Sequence, residues 1–263
     1  MTTGATIAPL FAAAASALLA FAPAQEKRDE PPRPKKAEPA AAQTPAPSPS
    51  GGAVAAEAEL DKFLAAKGVR LDRAAAAIRV DGVVNMQKGL IEVFATTPAG
   101  KTHEAVVALE CVPSALNAAF LALGYKPGKP VEYGVERYVM PEGEPVWITV
   151  EWTTEAGATK RVRAEDLVYD RSTEKALEPM AWIYIGSQMQ PGPDPSRPLF
   201  AADAIKSLVT TYHDPTTIVE NPMKTGDDDT LFFANEAATP PPRTPVTVTF
   251  WRKEPPRSPS SSD

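Results

Sequence analysis

The sequence predicts an α+β fold, a single domain built on a mainly antiparallel β-sheet, and three observations lead to this prediction. Large apolar and aromatic side chains are concentrated between residues 78 and 251, a span of about 170 residues that is long enough to bury one core. Short alternating apolar runs separated by glycine and proline recur along this span, which is typical of antiparallel strands. One segment, residues 114–123, is instead apolar nearly all round and predicts a buried helix.

The first element predicted is an amphipathic helix over residues 53–67. Its composition favours a helix, and Leu60, Phe63 and Leu64 share one stripe of it. Gly68 follows at the position where a left-handed residue commonly ends a helix. We therefore expect this helix to pack on the domain through its apolar stripe.

A β-meander is predicted next, with strands over residues 77–86, 90–96 and 102–110 and a turn at 98–100. The buried helix over 114–123 follows, with Ser114 as its N-cap and Gly124 just past its end. The remaining strands are predicted over residues 146–152, 160–163, 182–185, 205–212, 230–234 and 246–251. Four prolines make the segment 190–198 irregular.

The two ends of the chain have a different composition from this domain, which is predicted to span residues 53–251. Residues 1–24 carry no charge, and the apolar run 7–22 followed by small residues predicts a signal peptide cleaved after Ala24. Because this run lacks a basic residue before it, an uncleaved anchor and an internal alanine-rich helix stay open as alternatives. Residues 25–52 predict a disordered Pro/Ala linker, and residues 252–263 predict a disordered Pro/Ser tail.

These features predict an exported bacterial protein of the periplasm, cell envelope or extracellular space, without a stable membrane span once the signal is cleaved. The net charge of −6, from 27 Lys plus Arg against 33 Asp plus Glu, argues against binding to nucleic acid. A single cysteine, Cys111, excludes an intramolecular disulfide and an iron–sulfur cluster held by one chain. No cofactor is predicted, although a divalent metal stays open.

Several short segments of the sequence occur in an order that resembles the YdjY-domain family. They are residues 89–92 (GLIE), 101–104 (KTHE), 113–119 (PSALNAA), 123–130 (LGYKPGKP), 184–187 (YIGS), 213–217 (HDPTT) and 233–235 (FAN). The resemblance covers about residues 69–250 and implies an exported bacterial domain whose activity is not established. Some relatives are described as ferredoxin-like with cysteine clusters, and that role does not carry over to a chain with one cysteine.

The two histidines are the candidates for chemistry, because each precedes an acid: His103-Glu104 and His213-Asp214. A two-residue turn in the meander would place His103 diagonally across from Glu92, whereas a three-residue turn would place Glu104 on that face. Glu92 and His103, with His213, are then candidate catalytic residues, and His103, Glu104, His213 and Asp214 are candidate metal ligands. The competing interpretation is a buried structural hydrogen bond that sets the register of the hairpin.

Two functions follow from these expectations. The first is a non-enzymatic exported module that binds an unknown protein or envelope component through the sheet face or through segment 190–198. The second is a metal-assisted hydrolase, or another metal-binding enzyme, that uses His103, His213 and nearby carboxylates. The acidic segment 225–230 does not match the ligand spacing of a calcium loop and predicts a solvated turn.

Overall fold

The computed structural model describes residues 51–134 and 138–255. The predicted signal segment 1–24, residues 25–50 of the predicted linker and residues 256–263 of the predicted tail lie outside the described residues. The prediction of disorder is wrong at the inner ends of linker and tail: residues 51–52 belong to a helix, and Arg252 and Glu254 form ion pairs with Glu144 and Arg163. Within the described part of the chain, no helix is long and apolar enough to cross a bilayer.

The described residues form three α-helices, α1 (Gly51–Ala65), α2 (Pro113–Ala122) and α3 (Ala201–Ile205). The strands, in chain order, are β1 (Val69–Asp72), β2 (Ala77–Val84), β3 (Gly89–Leu90), β4 (Val93–Thr96), β5 (Ala105–Leu109), β6 (Glu132–Tyr133), β7 (Tyr138–Val139), β8 (Glu144–Thr153), β9 (Thr159–Arg163), β10 (Val168–Asp170), β11 (Lys175–Ala176), β12 (Trp182–Tyr184), β13 (Met189–Gln190), β14 (Leu199–Phe200), β15 (Ser207–Thr210), β16 (Val219–Glu220), β17 (Phe232–Ala234) and β18 (Pro245–Trp251). Short 3-10 turns lie at Thr102–Glu104, Ala164–Leu167 and Lys224–Asp227.

Eight of these strands close into a β-barrel. Their order is β2-β18-β8-β12-β16-β15-β4-β5, and β5 pairs back onto β2 to complete the circle. Two strands outside the circle pair with barrel strands: β1 pairs with the first half of β2, and β9 pairs with the second half of β8. The prediction of a mainly antiparallel α+β domain is confirmed at this level, but the closure was not foreseen. Closure pairs the two edges that an open sheet would leave unpaired.

Two pairs of barrel strands are parallel, which contradicts the predicted β-meander. β4 runs parallel to β5, and β15 runs parallel to β16. Each pair is joined by eight residues, 97–104 and 211–218, and β4 and β15 pair with each other in the middle. Eight residues suffice for such a return because the strands they bridge are only two to five residues long.

The core fills the interior of the barrel. Alternate residues on neighbouring strands, such as Val80, Val248 and Val150, face inward and are fully buried. Helix α2 adds Phe120, whose ring lies 4.7 Å from that of Tyr184 and is stacked on it. The predicted burial of this helix is confirmed for one face only, since Leu121 is 45% exposed. One continuous apolar cluster results.

The helix ends depart from prediction in two places. α2 begins at Pro113 rather than Ser114, and the Ser114 N–H donates to the carboxylate of Asp203 in α3 at 2.8 Å. The cap is thus supplied from another helix. In α1, Leu64 is buried as expected, but Phe63 is 53% exposed.

β6 and β7 form a hairpin, which lies on the outer wall of the barrel. In the chain, this hairpin follows α2 and precedes β8. Gly143, at its base, has no room for a side chain, because a Cβ there would lie 2.2 Å from the carbonyl oxygen of Tyr184 in β12. The glycine therefore lets the hairpin base approach the wall directly. The hairpin covers the strands in which the candidate functional site lies.

Candidate functional site

The candidate functional site is built around Glu220, the last residue of β16. Val219 faces the core, so Glu220 faces the outer wall, where Thr210 of β15 is its register partner. Glu220 and Thr210 are both buried. We call the group formed by Glu220, Thr210, His213, Tyr133 and Tyr138 the Glu220 site.

His213 lies in the connection between β15 and β16 and is fully buried. Its Nε2 lies 3.1 Å from the carbonyl oxygen of Asn221, and a carbonyl can only accept, so Nε2 carries the proton. Nδ1 is then an acceptor, and the hydroxyl of Tyr138 donates to it. Burial lowers the pKa of His213 and keeps the ring neutral.

The two tyrosines of the hairpin tie it to this histidine. Tyr133 donates to the carbonyl oxygen of His213 at 2.8 Å, while the ring of Tyr138 stacks on the imidazole at 5.9 Å between centroids. The two tyrosine rings lie 5.6 Å apart and are tilted by 54°. Burial raises the pKa of Tyr138 to about 12, with further contributions from Asp227 and Glu220, so its hydroxyl stays protonated at neutral pH.

Glu220 is the least satisfied group of the site. Its Oε1 accepts from the backbone N–H of Asp214 at 2.8 Å, but its Oε2 has no hydrogen-bond partner in the part of the chain that the structure describes. Burial raises the pKa of this carboxyl to about 8, and the negative charge of Asp214 raises it further. The backbone N–H groups of Asp214 and Val131 lower the pKa, but neither forms a hydrogen bond with Oε2. Glu220 is therefore mostly neutral at pH 7. The hydroxyl of Thr210 beside it is also buried and has no partner within residues 51–134 and 138–255.

The 3-10 turn Lys224–Asp227 forms another side of the site. A Cβ at Gly226 would lie 2.4 Å from Cδ2 and Nε2 of His213, and the carbonyl of Gly226 accepts from the N–H of His213 at 2.7 Å. The turn thus packs its backbone on the imidazole. It brings exposed Asp227 close enough to act on the titration of His213 and Tyr138. The predicted turn is present, and its tight packing on the histidine is new.

The predicted diagonal contact between Glu92 and His103 is wrong, because β4 and β5 are parallel and Thr102–Glu104 is a 3-10 turn. Lys101 is the partner of Glu92 instead, at 3.2 Å, and it also pairs with Glu104 at 3.0 Å. Burial alone would lower the pKa of Lys101, but the two carboxylates outweigh it and raise that pKa. The His103 side chain is 79% exposed and lies 3.6 Å from Glu104.

The structure does not bring the two histidines to a common partner. The ring of His213 hydrogen-bonds Tyr138 and Asn221. The carboxylate of Asp214 accepts from Thr216 instead, so His213 and Asp214 have different partners. Among the described residues, no three His, Cys, Asp or Glu side chains are grouped so that they could hold a metal ion. The catalytic and metal roles assigned to these residues stay predictions.

Cys111 lines a surface cleft of about 610 Å³ between the end of α1 and the start of α2. Its side chain is partly buried, and burial raises the pKa of its thiol to about 12, with a smaller contribution from Asp203. The thiol is therefore protonated at neutral pH and a poor nucleophile.

Sequence reasoning missed Glu220, Tyr133 and Tyr138. Glu220 follows two apolar residues and precedes Asn221-Pro222, so a carboxylate at the end of an apolar run is the signal that could have identified it. The tyrosines have no such signal, because the contact between Tyr138 and His213 joins residues 75 positions apart.

Fold and site together define a class: a closed eight-stranded barrel with a neutral, incompletely bonded glutamate buried on its outer wall under a tyrosine hairpin. The family model described as YdjY domain matches residues 69–251. The chain belongs to the YdjY-domain family. No curated protein and no solved structure matches it.

Proposed function

We propose that this protein is an exported, non-enzymatic binding module of the periplasm or cell envelope, and that it takes its partner at the Glu220 site. The observation that carries the proposal is the Oε2 atom of Glu220, a buried carboxyl oxygen without a hydrogen-bond partner among the described residues. A group of this kind costs on the order of 1–3 kcal/mol of stability when nothing bonds it. A hydrogen-bonding group of a partner is the simplest way to remove that cost.

The surroundings of Glu220 support binding rather than catalysis. Both nitrogens of His213 are engaged, one by Tyr138 and one by Asn221, so the imidazole holds the site together. The barrel interior is filled by the core, which leaves the outer wall and its loops for recognition. Export is supported by the uncharged apolar segment 7–22.

Export is tested by the mass of the mature chain. The full chain, produced in a Gram-negative host and fractionated, should be found in the envelope or periplasm with Gln25 as its first residue. A full-length chain confined to the cytosol would contradict export.

Binding is tested by capture from an envelope extract with three immobilised forms of the protein: wild type, Glu220→Gln and Asp229→Asn. The second variant is the matched control, because it removes one charge from an exposed position after the same turn. A component retained by wild type and by Asp229→Asn, but lost with Glu220→Gln, is expected. Equal capture by all three would show that the Glu220 site is not the binding site.

A further inference from the structure

Three carboxylates, Glu220, Asp214 and Asp227, act on the Glu220 site: the charge of Asp214 acts on Glu220 and that of Asp227 on His213. The base of the neighbouring 3-10 turn, Lys224, is exposed. None of these three carboxylates forms an ion pair with a lysine or arginine of the described chain. Elsewhere on the protein, carboxylates such as Asp81 and Glu165 are paired with arginine.

Aromatic rings accompany these acids. The rings of Tyr133 and Tyr138 lie 5.6 Å apart, and burial, Tyr212 and Glu220 each raise the pKa of both of these tyrosines. Tyr133 is 53% exposed, so part of this aromatic surface faces solvent. Tyrosine rings attract cations over their faces, and organic cations can be recognised in this way.

We propose that the Glu220 site recognises an organic cation, a primary ammonium or guanidinium group, which supplies the donor that Oε2 of Glu220 lacks. This inference rests on the proposed function and names its ligand class. Acids that form no ion pair within the described chain, beside aromatic rings, suit a cation and disfavour a phosphate or carboxylate. Recognition by aromatic faces favours an alkylammonium or guanidinium over a bare metal ion.

Binding follows a defined exchange of protons and hydrogen bonds. The cation displaces the proton of Glu220, which leaves to solvent, and its N–H groups donate to Oε2 and to the hydroxyl oxygen of Thr210. The side chain of Tyr138 swings off Nδ1 of His213 to admit the group, so its hydrogen bond to the imidazole is lost. Because one proton is released for each cation bound, affinity should rise as pH increases toward 8 and level off above it.

The cation has two sources that share this chemistry, a free amine and a lysine or arginine side chain of another protein. Isothermal titration calorimetry at pH 8 with n-butylammonium, guanidinium and a lysine-centred pentapeptide distinguishes them. The same affinity for peptide and amine indicates a free amine. Affinity at least tenfold tighter for the peptide indicates a protein side chain.

The variants decide whether the cation contacts Glu220. Glu220→Gln should weaken n-butylammonium binding at least tenfold, whereas Asp229→Asn should leave it unchanged. Tyr138→Phe should tighten binding by about fivefold, since no hydrogen bond to the imidazole has to be broken. Should Glu220→Gln fail to fold, Asp227→Asn, at an exposed position, should weaken binding severalfold and serve in its place.

Two results would overturn the inference. If n-butanol binds as tightly as n-butylammonium, the site takes a neutral group, and the proposed function survives without the cation. If no cation binds at millimolar concentration, the inference also fails, and the capture experiment with the same variants then decides the proposed function separately.

Discussion

Replacing Glu220 by glutamine should remove a large part of the pH dependence of stability of this protein. The substitution keeps the shape of the side chain and its acceptor for the Asp214 N–H while abolishing the charge. The folded protein holds the pKa of Glu220 at about 8, against an ordinary value of 4.5. Between these values the folded state binds a proton that the unfolded chain has already released.

The sign and size follow from this difference. The folded state binds more protons, so the free energy of unfolding falls as pH rises, by about 1.4 kcal/mol per pH unit. From pH 5.5 to pH 7.5 the wild type should lose about 3 kcal/mol relative to Glu220→Gln. Above the folded pKa the difference should be constant.

Other ionisable groups belong to the same site. Asp214, Asp227 and exposed Lys224 are charged groups around it, and Tyr133, Tyr138 and His213 have shifted pKa values. The lowered pKa of His213 acts in the opposite direction, because below pH 6.5 the unfolded chain takes up its proton first. These groups are common to both proteins, so most of their effect cancels in the difference between wild type and variant.

The assay is urea denaturation of wild type, Glu220→Gln and Glu155→Gln at half-unit steps from pH 5 to 9. Glu155 lies exposed in the turn between β8 and β9, and its variant should follow the wild type in parallel. A difference between wild type and Glu220→Gln that stays flat over this range would refute the reasoning, since it would mean that Glu220 is already ionised in the folded protein.

Three further predictions concern packing and reactivity. Gly226→Ala should lower the free energy of unfolding by about 1–3 kcal/mol because its methyl group would overlap the imidazole beneath it, whereas Gly52→Ala, with nothing within 4 Å of the added Cβ, should not destabilise. Phe120→Ala should lower the free energy of unfolding by about 3–5 kcal/mol in the same denaturation assay. Leu121→Ala, at a half-exposed position of the same helix, should change it by no more than about 0.5 kcal/mol. Equal losses would show that the Phe120 ring does not pack among the core side chains. Cys111 should react slowly with iodoacetamide at pH 7.5 in the folded protein and rapidly in urea, because burial raises its thiol pKa to about 12; equal rates in both conditions, followed by mass spectrometry, would contradict this.

Most of the secondary structure could be predicted from local pattern. β8 and β9 pair across a short turn, as alternation and Gly157 indicate. α2 has the expected length and ends before Gly124, which adopts a positive φ of 81°. In these elements the information lies within a few neighbouring residues, so periodicity and turn chemistry suffice.

The partners of the strands could not be predicted in the same way. Pro98 and Gly100 between two apolar runs are typical of a hairpin turn, yet β4 pairs with β15 on one edge and runs parallel to β5 on the other. Alternation indicates which face of a strand is buried but not which strand lies beside it. For that reason the predicted position of Glu92 opposite His103 was wrong.

Taken by itself, the amino-acid sequence determined that one β-rich domain with a buried helix lies between two ends of different composition, and it also determined the family. These properties follow from composition, from the alternation of apolar and polar residues and from the order of short sequence motifs, which can all be read along the chain. The tertiary structure alone decided that the sheet closes and that Glu220 is buried beneath Tyr133 and Tyr138. A shifted pKa and an unbonded carboxyl oxygen depend on atoms contributed by distant segments, and their positions are set only when the barrel forms.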